Sequence, residues 1–382
     1  MTRGAFDFDI HGFVGVRLID AGPAEVALVE RQLGPLGRTL HREPDITVRF
    51  VDRFTRRAVT YIGVGETGCN QDGFFILRGK GAVPGRALLP FDRIGLAPEI
   101  VCERAVPAVP HLLTLVNLTA LSHGVLPLHA SAFTLDGTGV LVTGWSKGGK
   151  TESLLAASLH GADYVGDEWV YLTPDGRMFG VAEPIRLWGW QLAQLPELLR
   201  ARPAAERIRL RSWRAASAIA GAASSIRWPG AGVARRGAPV IARQDYLQVP
   251  PVELFGEARV RLQGRLDAIV LVLSHSGTET NVSSMSADQV ADRMTASLSE
   301  ERAAFMSHYR QFRFAFPDRR SALVEDAATR EAALLSEIFA GRLAIMVSHP
   351  YPCDIRGMGG EVLSAAAGLA HAQPAPEAVK VP

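Results

Sequence analysis

Residues 144–151 read Gly-Trp-Ser-Lys-Gly-Gly-Lys-Thr, the stretch that decides the fold. The run matches the pattern G-x-x-x-x-G-K-T of a phosphate-binding (Walker A) loop. The apolar residues 140–143 precede it and predict a strand, and residues 152–159 follow with a helical pattern. A strand, a glycine-rich loop and a helix in this order predict an α/β nucleotide-binding domain, because loop N–H groups and a helix N-terminus together favour phosphate.

The loop predicts binding of ATP and Mg²⁺. Lys150 would reach the β- and γ-phosphates, and the Thr151 hydroxyl stands where the motif places a ligand of Mg²⁺, which prefers oxygen donors. A glycine-rich turn that matches by chance is the alternative, and the flanking strand and helix argue against it. The predicted nucleotide-binding residues are Gly144, Ser146, Lys147, Gly148, Gly149, Lys150, Thr151 and Glu152.

An acidic pair follows the predicted phosphate-loop helix. Residues 164–166, Tyr-Val-Gly, predict a short strand that ends at Asp167 and Glu168. One carboxylate can hold a metal ion while the other accepts a proton from an attacking hydroxyl, and adjacent residues of a strand point in opposite directions. A plain acidic turn is the alternative. The position shortly after the loop favours a magnesium-nucleotide site.

Composition indicates a globular chain. The chain has 382 residues, of which 47% are apolar and 21% charged, and its formal net charge is +2. A charge so near zero gives no strong field for nucleic acid or a membrane surface. The N-terminus has no continuous apolar stretch of signal-peptide type, and no later run approaches 18 apolar residues. The sequence therefore predicts a cytoplasmic protein without nucleic-acid or membrane partners.

Three regions are predicted along the chain. Residues 1–108 contain short alternating segments such as 46–51 and 73–77, typical of a smaller α+β domain with a role in substrate or partner binding. Residues 109–370 alternate strand and helix patterns, including a helix over 110–126, a strand over 266–273 and a helix over 286–298, which favours an α/β nucleotide domain. Residues 371–382 are rich in Ala and Pro and are predicted to be disordered.

Two further segments have two interpretations each. Residues 200–243 are rich in arginine, which is typical of a solvated helix face; the alternative is a mobile basic lid that contacts ATP or an acidic substrate. Residues 349–357 contain a histidine, two prolines and a cysteine, and predict a rigid structural loop at the end of a strand, with a site role as the alternative.

The stretch 128–168 resembles the HPr kinase/phosphorylase family. Members of that family have a histidine before a strand pair, a G-x-x-G-x-G-K-S-E loop and a V-A-D-D strand end. The counterparts in this chain are His129, residues 144–152 and residues 165–168, in register across about forty residues. The strict resemblance covers little more than a tenth of the chain, and a looser one covers its C-terminal half.

The resemblance implies a phosphoenolpyruvate-carboxykinase-like P-loop fold and transfer of the γ-phosphoryl group of ATP to a serine hydroxyl. Carried over by position, Asp167 becomes the general base, and Lys150 and Thr151 contact phosphate and metal. His129 becomes a catalytic neighbour that tunes the proton on Asp167. Glu183, in the segment 183–189, matches a Glu-Ile-Arg-Gly element if one extra residue is allowed, so Thr151, Glu168 and Glu183 become the implied metal ligands.

Departures from the family pattern shape the functional expectation. Glu168 stands where the family has a second aspartate, and the segment associated with reverse phosphorolysis is poorly reproduced. The chain is therefore similar to the divergent kinases of peptide-modification systems, and a serine in a peptide or protein is the expected acceptor. A small hydroxyl metabolite, such as an amino acid or sugar, is the alternative acceptor. A nucleotide-regulated peptide-binding protein without transfer is the alternative function, and a homo-oligomer is compatible with the sequence.

Overall fold

The computed structural model describes residues 3–36, 39–55, 57–63, 66–77, 85–225, 245–358, 360 and 362–364. These residues form helices and several mixed sheets, so the predicted α/β class is confirmed. The predicted tail, 371–382, and residues 226–243 of the arginine-rich segment lie outside the described residues. Within the described part of the chain, no helix is both long enough and apolar enough to cross a membrane.

Among the described residues, the first sheet has eight strands, all from the N-terminal part of the chain. Their bounds are β1 Gly4–Ile10, β2 Val14–Ala21, β3 Ile46–Val51, β4 Thr60–Gly63, β5 Thr67–Asn70, β6 Gly73–Ile76, β7 Ala87–Leu88 and β8 Glu99–Glu103. The spatial order is β1-β2-β3-β8-β7-β6-β5-β4. Strands β2, β3 and β8 run parallel, and the others pair antiparallel with their neighbours.

The second sheet positions the phosphate-loop motif. Its strands are β9 Leu126–Leu135, β10 Thr138–Thr143, β11 Asp163–Gly166, β12 Trp169–Leu172, β13 Arg177–Gly180, β16 Gln263–Arg265, β17 Ala268–His275, β18 Asn281–Met285 and β19 Leu343–Pro350. A separate ribbon pairs β14 Ile185–Trp188 with β15 Tyr246–Val249. Strands β10, β17 and β19 are parallel, whereas β9 pairs antiparallel with β10, β11 and β12.

Helices pack against both sheets. Their bounds are α1 Pro23–Leu33, α2 Leu112–Ser122, α3 Lys150–Leu159, α4 Gly189–Ala193, α5 Pro196–Arg200, α6 Ala204–Ser225, α7 Pro251–Phe255, α8 Ala287–Glu301, α9 Ala303–Ala315 and α10 Ala322–Phe339. Short 3₁₀ turns occupy Phe91–Arg93 and Glu257–Arg259. The predicted helices over 110–126 and 286–298 are confirmed by α2 and α8.

The central strands are apolar on both faces because helices pack on both sides. Val140 and Val142 belong to one buried cluster with Leu154 of α3. Leu141 points to the opposite face and joins a cluster with Met294 of α8 and residues of α10. Because the side chains of β10 alternate in this way, the strand is held in register at the start of the glycine-rich loop.

One hydrophobic core extends from the first sheet to helices near the C-terminus. Phe91 lies 5.4 Å, centroid to centroid, from both Phe305 and Phe312 of α9, and Phe74 lies 5.5 Å from Phe91. These rings are fully buried, and burying a side chain of this size stabilises a fold by roughly 1.5–3 kcal/mol. The core therefore crosses the predicted boundary near residue 108, and the two-domain division stays a prediction.

The hairpin between β1 and β2 contacts the second sheet. His11 Nε2 lies 2.6 Å from the carbonyl oxygen of Gly180, and the Phe13 ring meets the Phe179 ring edge-on at 5.0 Å. Gly180 is the last residue of β13, and the chain continues from it to Glu183. The first sheet thus braces a segment that leads toward the predicted site.

Candidate active site

The glycine-rich loop, residues 144–151, links β10 to α3 as the sequence predicts. Gly149, at the N-terminus of α3, has φ +114°, and a Cβ there would lie 2.2 Å from Nε2 of the buried His349. Gly144 has φ +148°, and a Cβ there would lie 2.4 Å from the carbonyl oxygen of Val272. Both positions therefore need glycine, because neighbouring strands approach the loop too closely for a side chain.

Lys150 is buried at the first turn of α3, and its ammonium group folds over the loop. Nζ donates hydrogen bonds to the carbonyl oxygens of Gly144, at 3.1 Å, and Trp145, at 3.0 Å. Burial lowers the pKa of Lys150, and the nearby charges of Asp167 and Glu168 partly offset this. The structure thus holds a cationic group directly over the glycine-rich loop.

Asp167 joins the acidic pair to the loop. It is only 4% exposed, and its Oδ2 accepts a hydrogen bond from the Thr151 hydroxyl at 3.3 Å. Its Oδ1 accepts one from the hydroxyl of Ser131 on β9 at 2.5 Å. Burial and the charge of Glu168 raise the pKa of Asp167 to about 6. The two motifs singled out by sequence therefore meet at one point.

Glu168 has a different environment from its neighbour. Its φ is +63°, and its side chain, 54% exposed, turns into the cavity beside the loop. Oε2 lies 3.3 Å from Nε2 of His129. The hydrogen bond from His129 lowers the pKa of Glu168. As the sequence predicts, the two carboxylates face different surroundings.

His129 lies between two carboxylates. Its Nδ1 is 2.5 Å from Oε1 of Glu301, the last residue of α8, and its ring stacks on Trp169 with the planes 29° apart. Burial alone lowers an imidazole pKa, but the hydrogen bonds to Glu168 and Glu301 outweigh it and raise the pKa of His129 to about 9. His129 is therefore a cation near neutral pH, held next to the acidic pair.

The structure places two other predicted residues at the edge of the site. Glu152 accepts a hydrogen bond from Gln191 Nε2 at 2.8 Å, so it ties α3 to the start of α4. Burial, together with the charges of Glu168 and Asp167, raises the pKa of Glu183 to about 8. Among the described residues, Thr151 and Glu168 line the cavity but Glu183 does not.

The cavity has a volume of about 570 Å³. Its lining combines residues of the loop, His129 and Glu168 with Arg186 and two tryptophans, Trp188 and Trp190. A volume of this order is typical of a small-molecule site. The exposed residues Ser146 and Lys147 also line it, so the predicted loop contacts open onto this space.

Two oxygen donors lie beside the glycine-rich loop, on Thr151 and Asp167. Within the described residues, no group of three or more His, Cys, Asp or Glu side chains is arranged to hold a metal ion. Mg²⁺ in nucleotide sites usually takes one or two protein oxygens, the substrate phosphates and waters. The Thr151 hydroxyl and the Asp167 carboxylate, hydrogen-bonded beside the loop, are oxygen donors of that kind.

Several site residues were missed by sequence reasoning. Glu301 contacts His129 across 172 positions of sequence, and Ser131 holds Asp167 from a neighbouring strand. His349, interpreted from sequence as structural, has Nε2 2.8 Å from the carbonyl oxygen of Gly148 and so buttresses the loop. Of these contacts, only that of Ser131 had a signal in the sequence: Ser131 follows His129 by two residues, so both side chains lie on the same face of a strand.

The arginine-rich helix α6 has arginines in two kinds of environment, and the mobile-lid interpretation stays a prediction. Arg209 and Arg211 are exposed, as a solvated face requires. Arg214 instead donates to the carbonyl oxygen of Gly189 at 2.8 Å and pairs with Asp245, a residue of the cavity wall. At least this arginine is part of the structure around the cavity.

No family model matches the chain, and no curated protein matches it either.

Proposed function

We propose that this protein is an ATP-dependent kinase that transfers the γ-phosphoryl group to a hydroxyl, with serine in a peptide or protein as the preferred acceptor class. The observation that supports this most directly is the hydrogen bond between Thr151, at the end of the glycine-rich loop, and Asp167, of the acidic pair. A phosphate loop hydroxyl beside an aspartate is the arrangement that holds Mg²⁺ in P-loop enzymes. A phosphoenolpyruvate-carboxykinase-like form of the fold is part of the same proposal.

The residues of the cavity fit the needs of phosphoryl transfer. Such reactions depend mainly on positioning and on neutralising negative charge. Lys150, the imidazolium of His129 and Arg186 supply positive charge to the lining of the cavity. Bound Mg²⁺ would add charge neutralisation at the β- and γ-phosphates. The carboxylates of Asp167 and Glu168 then serve the metal and the acceptor hydroxyl.

Nucleotide binding is the first step to test. Lys150→Ala removes a buried ammonium group over the loop, whereas Arg293→Ala removes an exposed cation of α8 that does not line the cavity. Since a hydrogen bond to a charged group contributes about 1.5–3 kcal/mol, we expect Lys150→Ala to weaken Mg-ATP binding by about tenfold or more in isothermal titration calorimetry. We expect Arg293→Ala to weaken it by less than about threefold. Equal affinities for the two variants would argue against a phosphate loop.

A further inference from the structure

The two adjacent carboxylates differ in what a substrate could reach. Asp167 is 4% exposed, and both of its oxygens accept hydrogen bonds, from Ser131 at 2.5 Å and from Thr151 at 3.3 Å. Glu168 is the residue at which the backbone takes a positive φ, and its carboxylate lines the cavity. A non-glycine residue in this conformation costs about 1–3 kcal/mol, and such strain is often found where a side chain is aimed for function.

We propose that Glu168, and not Asp167, is the catalytic residue that receives the proton of the acceptor hydroxyl, whereas Asp167 acts with Thr151 on the metal side of the site. This assignment rests on the proposed kinase function and reverses the roles that the family resemblance implies. Its basis is the geometry: a base must lie within hydrogen-bond reach of the hydroxyl, and we place the acceptor in the cavity beside the glycine-rich loop. Of the pair, only Glu168 opens onto that cavity.

The transfer balances with Glu168 in this role. The acceptor oxygen forms a bond to the γ-phosphorus while the bond from that phosphorus to the β,γ-bridging oxygen breaks, and ADP leaves with the electron pair. The hydroxyl proton passes to the Glu168 carboxylate and from there to solvent. Because the transition state is loose, the carboxylate must orient the hydroxyl more than it must be a strong base.

A chain of three side chains fixes the direction of Glu168. His129 Nε2 lies 3.3 Å from Glu168 Oε2, and its Nδ1 lies 2.5 Å from Glu301 Oε1. Stacking on Trp169 sets the plane of the ring, with the centroids 5.8 Å apart. Glu301 is thus a positioning residue, which acts on Glu168 through His129.

The surroundings of Asp167 fit the metal side. Its Oδ2 and the Thr151 hydroxyl form a pair of hard oxygen donors next to Lys150, and Ser131 fixes the second carboxylate oxygen. This role predicts that Asp167 affects how strongly Mg²⁺ improves ATP binding, a property that does not depend on turnover. Glu168, on the cavity side, should not affect it.

The test compares Glu168→Gln and Asp167→Asn with the wild type, and Glu300→Gln is the matched control because Glu300 is the exposed neighbour of Glu301. ATP affinity is measured by calorimetry with and without Mg²⁺. Turnover is measured by mass spectrometry with Mg-ATP and a mixture of serine-containing decapeptides and free L-serine. We expect Glu168→Gln to lower turnover by about 10²-fold or more, the usual contribution of a positioned base, with Mg-ATP affinity within about twofold of wild type.

Asp167→Asn should lose most of the gain in ATP affinity that Mg²⁺ gives the wild type. If the wild type makes product and Glu168→Gln makes it at the same rate, the role of Glu168 is overturned and the kinase function stands. An unchanged Mg²⁺ effect in Asp167→Asn would overturn the role of Asp167. If the wild type itself makes no product, the proposed function fails, and the assignment of a base fails with it.

Glu301→Gln tests the positioning chain. The amide keeps the shape of the side chain but loses its charge, so we expect Glu301→Gln to lower kcat and to leave KM for ATP within about twofold of wild type. Glu301→Asp keeps the charge, so we expect it to recover part of kcat. A merely structural role would lower the melting temperature without a selective effect on kcat. Turnover equal to that of Glu300→Gln would contradict the chain.

Discussion

We expect Gly149→Ala to lower the free energy of unfolding far more than the same substitution at Gly137, another glycine with a positive φ. Gly149 has φ +114°, which costs an L-residue about 1–3 kcal/mol. The added Cβ would lie 2.2 Å from Nε2 of His349, well inside van der Waals contact. His349 is 1% exposed and would have to give up its 2.8 Å contact with the Gly148 carbonyl, which adds about 1–3 kcal/mol for a buried group left unsatisfied.

Gly137→Ala is the matched control. Gly137 lies in the turn between β9 and β10 with φ +83°, and nothing lies within 4 Å of the Cβ that alanine would add. We expect losses in the free energy of unfolding of about 1 kcal/mol for Gly137→Ala and about 3 kcal/mol for Gly149→Ala, measured by urea denaturation. Losses equal within about 0.5 kcal/mol would refute the argument that His349 packs against the loop.

Two further predictions concern buried charge. Burial and the charge of His308 lower the pKa of His111 to about 4. The unfolded chain binds this proton near pH 6.5. The free energy of unfolding should therefore fall by about 3 kcal/mol as the pH drops from 6.5 to 4. His111→Asn, which tolerates the φ of +57° at this position, should flatten that part of the pH profile of unfolding, and an unchanged slope would count against it. Glu331→Gln leaves the partly buried Arg302 without its charged partner and should destabilise the protein by about 3 kcal/mol in urea denaturation. The double change Arg302→Met with Glu331→Leu should recover most of that loss.

Local elements could be predicted from sequence because their signals are local. The strand predicted over 46–51 coincides with β3, and the predicted buried strand over 266–273 corresponds to β17, Ala268–His275. The glycine-rich loop was also predictable, since its spacing reflects the path of the backbone between one strand and one helix. These elements need no knowledge of which strands become neighbours.

Contacts that depend on the order of strands could not be predicted in this way. His349 contacts the loop because β19 lies next to β17, which lies next to β10, an arrangement that periodicity does not encode. Glu301 reaches His129 because α8 packs on the sheet that contains β9. The proximity of Asp167 to Thr151 was expected from the position of the acidic pair after the loop and from the family resemblance. The unequal burial of Asp167 and Glu168 was visible only once the turn between β11 and β12 was placed.

The most direct test of the kinase proposal is mass spectrometry of acceptors incubated with purified protein and Mg-ATP. The panel contains serine peptides and free hydroxyl metabolites, and Lys150→Ala and Asp167→Asn serve as controls. We predict a gain of about 80 Da, one HPO₃ unit, on a serine-containing acceptor with the wild type and its loss in both variants. ATP binding without any phosphorylated product would contradict the kinase proposal and favour a nucleotide-regulated binding protein.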